Sequence, residues 1–182
     1  MRDCVNALVN WRGRSNCRPA RLAMEDDARA GALAMDEREV KPEDLVIGIS
    51  ASGRAAFVIG ALRRAREIGA QTILLTCNAK RKPGGEFDLE INLKTGPEIV
   101  TGSTRLKAGT ATKVALNIIS TGAMARLGRV RGNLMIDLQP TNKKLRERAI
   151  GLVSQLARCD RESARARLER ADWNLREALK EE

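Results

Sequence analysis

Two short runs of apolar, β-branched residues, DLVIGIS (44–50) and QTILLTC (71–77), enclose one amphipathic stretch, RAAFVIGALRRAREIG (54–69). Runs of that length without polar alternation are expected of strands buried on both faces. Within 54–69, Phe57, Val58, Ala61, Leu62 and Ala65 recur on one helical face, and Gly69 stands where a helix would stop. A strand, a helix of this length and a second strand leave one economical solution, a parallel pair joined by a helical crossover. The chain is therefore read as α/β with a parallel sheet.

The flanking segments extend that unit. EDDARAGALAMDERE (25–39) has a helical pattern and ends before Pro42. NAKRKPGGEFD reads as a loop with a turn at Pro83-Gly84-Gly85, LEINLK (89–94) as a third, short strand, and TKVALNIISTGAMARLG (112–128) as a long apolar helix. Residues 141–182 change character. They are charged and helical in pattern, and Ala164, Leu168, Ala171, Leu175 and Leu179 form a thin apolar face. A small all-α region that serves packing or oligomer contact is expected there. Residues 1–23 keep no period of either kind, and a disordered leader is expected.

Composition narrows the chemistry. The sequence has no His, so acid–base work falls to Glu, Asp, Lys or Cys, and the commonest transition-metal ligand is missing. Cys4, Cys17, Cys77 and Cys159 form no CxxC pair. With no signal peptide in view, they read as free thiols in a cytoplasmic protein. The formal charge of +10 invites a nucleic-acid reading. The basic residues, however, are spread along amphipathic stretches without interleaved aromatics, so a solvated surface is the better account and no nucleic-acid partner is expected. No apolar run is long enough for a membrane span, and no membrane partner is expected.

Two polar loops follow strands of the predicted sheet, where open α/β sheets bind ligands. SASGR (50–54) opens the helix at 54–69 and offers Ser50, Ser52 and Gly53 at its N-terminus. GPEIVTGSTRLKAGTATK (96–113) is rich in glycine and hydroxyls and carries Glu98, Ser103, Thr104, Arg105 and Lys107. Hydroxyls and a carboxylate suit sugar hydroxyls, while N–H groups and cations suit a phosphate.

GPEIVTGSTRLKAGT (96–110) resembles, throughout its length, the signature shared by bacterial N-acetylmuramic acid 6-phosphate etherases and the animal glucokinase regulatory protein. DLVIGISASGR (44–54), LNIISTGAM and GNLMIDLQPTNKKLRERA (132–149) look like the etherase branch. The resemblance implies a SIS (sugar isomerase) fold, here a partial three-layer domain over residues 24–140, with the small helical region at 141–182. It also implies a reaction, removal of D-lactate from N-acetylmuramic acid 6-phosphate without metal or cofactor, with two glutamates as acid and base. The segment AMEDDARAG (23–31) is similar to the family's GAEDD stretch and puts one of these glutamates at Glu25. By the same resemblance Ser50, Ser52 and Gly53 hold the phosphate, while Glu98, Ser103, Thr104, Arg105 and Lys107 complete a site for a sugar 6-phosphate.

The family also carries a GAGTSGR-type loop and a SECPP-type motif with the second glutamate, before its EDD segment. Residues 1–23 resemble neither, and Ala55 and Ala56 stand where etherases commonly have Thr and Pro. The expectation is the C-terminal half of an etherase, with an open sheet edge that makes it a homodimer, self-associating, or dependent on a partner for the first half. A non-catalytic sugar-phosphate-binding regulatory protein is the alternative.

Overall fold

The computed structural model describes residues 25–81 and 84–180. The leader expected at 1–23, with Cys4 and Cys17, lies outside the described residues, as does Pro83 of the expected turn. The chain divides into two compact units between Leu116 and Asn117.

In the first unit, α1 (Ala28–Glu37) and α2 (Ala56–Ile68) accompany a parallel sheet of β1 (Leu45–Ile49), β2 (Gln71–Thr76) and β3 (Leu89–Asn92), in the order β1-β2-β3. Leu45 pairs with Gln71 and Ile49 with Leu75, then Ile73 pairs with Leu89 and Thr76 with Asn92. The strand–helix–strand reading holds. Val46, Ile47 and Ile49 of β1 are buried, and so are Leu74 and Leu75 of the central strand β2. Strand β3 is shorter than the expected 89–94 and only half-buried.

Helix α2 buries Phe57, Val58, Ala61, Leu62 and Ala65, the face read from the sequence. They pack with Met35, Val46, Leu74 and Phe87 into one core, where each large apolar side chain contributes about 1.5–3 kcal/mol by leaving water. Gly69 closes α2 at φ 97°, a left-handed conformation that only glycine adopts cheaply, and the following Ala70 N–H reaches back to Ala65 O. Asp27 caps α1 by accepting from the N–H groups of Arg29 and Ala30.

At the end of the sheet away from the polar loops, Asp88 accepts from both the N–H and the hydroxyl of the buried Thr72, each at 2.7 Å. The Thr72 hydroxyl, followed by the Thr72 N–H, holds the Asp88 carboxyl below the usual carboxylate range. A carboxyl that is more acidic when folded contributes its stability above its unfolded value, about 3.9, and loses it as pH falls through the folded value. Asp88→Asn is therefore expected to flatten the acid limb of a plot of urea midpoint against pH. An acid limb with the parent's slope rejects this assignment.

The helix α3 (Lys107–Arg126) begins five residues before the expected 112–128. Only Ala108 and Thr112 of it are buried, and the apolar Val114 and Ile118 are exposed.

The second unit contains the hairpin β4 (Val130–Arg131) and β5 (Leu134–Met135), followed by α4 (Lys143–Ala157), α5 (Arg161–Arg170) and α6 (Leu175–Ala178). Ala164, Leu168 and Leu175 of the predicted face are buried with Ile150, Leu152 and Val153, and Ala171 and Leu179 pack at the margin. Asn142, Asp160 and Asn174 cap the three helices in turn.

Candidate functional site

The turn from β1 to α2 is built around Ser50. Its backbone N–H extends the ladder to Leu75 O, so the residue stays in line with the strand. Its Oγ then accepts from Gly53 N at 3.1 Å and Ala55 N at 3.4 Å. Ser52 Oγ accepts from Arg54 N at 3.2 Å and lies 3.4 Å from Ser50 Oγ. Both hydroxyl oxygens therefore act as acceptors within the loop, and one of the two hydroxyl protons joins them to each other, which leaves the other for a ligand. Gly53 has φ 69°, and a Cβ there would stand 2.8 Å from Arg81 Cδ and 3.0 Å from Thr76 Oγ1. The loop is tight because a side chain has no room.

No side chain caps α2, whose N-cap is Ala55, and its first turn holds no acidic residue. The positive end of the helix dipole is left to whatever approaches it. Glu25 comes to the same place, because Phe57 N donates to Glu25 O at 3.1 Å. Glu25, Ser50, Ser52 and Gly53 are thus gathered around one helix N-terminus.

The stretch 96–107 is organised differently. Glu98 Oε2 accepts from Lys107 N at 2.8 Å and Oε1 from Ala108 N at 2.9 Å, so one carboxylate caps α3 from nine residues upstream. This explains the early helix start. The Lys107 ammonium donates to Pro97 O at 2.8 Å and closes the same loop. Both Glu98 oxygens therefore hold the backbone. Removing the cap with Glu98→Ala is expected to cost about 1–2 kcal/mol, with Glu98→Gln in between, as one acceptor is kept. Equal urea midpoints for parent and Glu98→Ala would refute the cap.

Cys77, at the end of β2, stands between the loops. Its N–H donates to Ala51 O at 3.1 Å, and its thiol lies 3.7 Å from Ala108 O and 3.8 Å from Thr112 Oγ1. Burial pushes its pKa up, which keeps the thiol protonated. Ser103 lies in the turn closed by its N–H to Val100 O, with Thr104 and Arg105 exposed beyond it. Among the described residues, Ser103 and Thr104 give no side-chain hydrogen bond to either group. Nor does any group of His, Cys, Asp and Glu among them suit a metal ion. No helix among them is long and apolar enough to cross a membrane.

A cavity of about 610 Å³ opens in the second unit, lined among others by Asp137, Pro140, Trp173 and Arg176. Asp137 pairs with Arg176 and Arg129, and Arg176 first of all holds its carboxyl below the usual range. The Arg146 guanidinium lies over Trp173, 4.8 Å from the ring centroid. None of the candidate site residues selected from the sequence lines this cavity.

Residues 28–121 match the SIS domain, and residues 132–182 match the C-terminal lid domain of glucokinase regulatory protein. The chain is 47% identical over 155 residues to the N-acetylmuramic acid 6-phosphate etherase of Gloeobacter violaceus, covering 85% of this chain and 51% of the relative. It is 45% identical over 156 residues to the Bacillus subtilis etherase, with 86% and 51% covered. Against the Rubrobacter xylanophilus etherase it is 45% identical over 167 residues, with 92% and 56% covered. The chain thus spans about half the length of the curated relatives it matches.

Proposed function

This chain belongs to the SIS domain family, and from that premise we propose that it acts as an N-acetylmuramic acid 6-phosphate etherase. The reaction converts that sugar to N-acetylglucosamine 6-phosphate and D-lactate in cell-wall sugar recycling. The observation that carries the reading is the loop at 50–55. Ser50 and Ser52 accept from the backbone and stand hydroxyl to hydroxyl at the N-terminus of α2, which no side chain caps, an arrangement suited to a phosphate.

With the 6-phosphate anchored there, the acid–base role falls to Glu25, whose backbone carbonyl meets Phe57 N at the same helix N-terminus. It serves as the base that takes the proton from C2 of the open-chain sugar or as the acid that protonates the leaving lactate oxygen. The C3–O bond then breaks, lactate leaves with its ether oxygen and takes up a proton, and water adds across the resulting double bond at C3. No oxidant or cofactor enters this balance. Ser103, Thr104, Arg105 and Lys107 belong to the sugar side of the site, with Glu98 shaping the loop that bears them. We assign the protein to the cytoplasm, where sugar phosphates are held, as a homodimer without membrane or nucleic-acid partners.

The match of residues 132–182 to a domain named for glucokinase regulatory protein supports a second reading, sugar-phosphate binding without turnover. Proton NMR of the purified chain with N-acetylmuramic acid 6-phosphate separates the two. Growth of the free lactate methyl signal, slowed about a hundredfold or more by Glu25→Gln, is the expected result. A dispersed protein that binds the sugar phosphate and releases no lactate favours the second reading.

A further inference from the structure

The loop at 50–55 has three consecutive carbonyls, and each is tied to the segment after β2. Ala51 O accepts from Cys77 N at 3.1 Å and Thr76 Oγ1 at 3.2 Å. Ser52 O accepts from Asn78 Nδ2 at 3.0 Å, and Gly53 O from Arg81 Nη1 at 3.1 Å. The β1–β2 ladder is thus continued past the strand ends, first by a backbone N–H and then by two side chains.

The consequence follows from peptide geometry. In a trans peptide the C=O of one residue points opposite to the N–H of the next, and no cis peptide occurs here. With the carbonyls of 51, 52 and 53 turned to the β2 side, the N–H groups of Ser52, Gly53 and Arg54 are turned to the side of the Ser50 and Ser52 hydroxyls, where Gly53 N already donates to Ser50 Oγ and Arg54 N to Ser52 Oγ. Those two bonds fix both hydroxyl oxygens on the side of the turn that an anion would approach.

Arg81 is itself held. Its Nε donates to Glu90 Oε2 at 3.2 Å, and the Glu90 side chain is only 6% exposed. Glu90 Oε1 takes Gly84 N, and Arg81 N donates to Asn78 O. Asn78 O also receives Asn92 Nδ2, and Asn78 Oδ1 takes Lys80 N. The guanidinium thus bridges a buried carboxylate on β3 and the carbonyl of the left-handed Gly53, with its Cδ against the Gly53 Cα face. The guanidinium makes the two bonds from separate nitrogens, Nε and Nη1, whereas lysine carries all its donors on one nitrogen.

We infer that Asn78 and Arg81 are positioning residues of the anion-binding loop, which turn its carbonyls away from the phosphate of the substrate and hold the Ser50 and Ser52 hydroxyls and the Ser52 N–H on the side that faces it. This rests on the reading of residues 50–55 as the phosphate site. Arg81 acts through the Gly53 carbonyl and not as a phosphate ligand.

The test is a titration of the full chain with inorganic phosphate, followed at the amide signals of Ser52, Gly53 and Arg54, with thermal midpoints recorded in parallel. Arg81→Ala and Asn78→Ala are each expected to weaken phosphate binding about tenfold, the equivalent of one hydrogen bond to a charged group. Arg81→Lys, which keeps the charge and loses the fork, is expected to weaken it equally, and it serves if the alanine variant fails to fold. Parent-like affinity in Arg81→Lys makes Arg81 a charge and overturns the clamp, as does parent-like affinity in folded Arg81→Ala. A parent chain whose three amides ignore phosphate overturns the phosphate site itself, and the clamp with it.

Discussion

Gly60→Ala is expected to destabilise the first unit by about 3 kcal/mol or more, although alanine is the better helix former. The reason is the crossing of α1 and α2. A Cβ at Gly60 would lie 2.1 Å from Ala28 O and 2.7 Å from Ala28 C, both backbone atoms. The crossing is reciprocal, because a Cβ at Gly31 would lie 2.0 Å from Phe57 O. No rotamer change relieves either clash, so the helices must separate and uncover Met35, Val58, Ala61 and Leu62. For a domain with a total stability of some 5–15 kcal/mol, that is a large share. The sign is checked by Gly122 of α3, where an added Cβ meets nothing within 4 Å. Gly122→Ala is expected to stabilise by about 0.5–1 kcal/mol. A Gly60→Ala chain that melts with the parent would mean that the two backbones do not touch.

Ser50→Ala is expected to have the largest effect on ligand binding. Ser50 is buried, and its hydroxyl oxygen receives two backbone N–H groups. Gly53 N keeps a second acceptor in Ser50 O at 2.9 Å, but Ala55 N loses its partner at the first turn of α2. An orphaned N–H of this kind costs about 1–3 kcal/mol, and the hydroxyl donor to the phosphate goes with it. A loss in phosphate affinity of about thirtyfold is expected, larger than for the exposed Ser52, measured by the same amide titration. Unchanged affinity would take the phosphate away from this loop.

The central strand–helix–strand unit was legible because its signals are local. A doubly buried strand is apolar throughout, and Gly69 marks the end of α2 by a conformation that its neighbours cannot share. The thin apolar face at 164–179 was legible for the same reason. The start of α3 was not. Gly109 and the hydroxyls around it read as loop, and the cap that overrides them comes from Glu98, beyond the reach of rules that inspect adjacent residues. The small β4–β5 hairpin carried a usable signal in Gly132-Asn133, with Gly132 at φ 61°, but its strands are too short to show alternation. Within the candidate site, Ser50, Ser52 and Gly53 stood out by composition. Asn78 and Arg81 did not, since their partners are carbonyls of another loop, and carbonyls leave no mark in a sequence.

The account depends most on the claim that the loop at 50–55 takes the phosphate of a sugar 6-phosphate. The direct measurement is a pair of amide-correlation titrations of the chain, one with N-acetylglucosamine 6-phosphate and one with N-acetylglucosamine. The account predicts shifts at Ser50 to Phe57 with the phosphorylated sugar and none there with the neutral one. Equal responses to both sugars, or shifts confined to the cavity residues around Trp173 and Arg176, would contradict it.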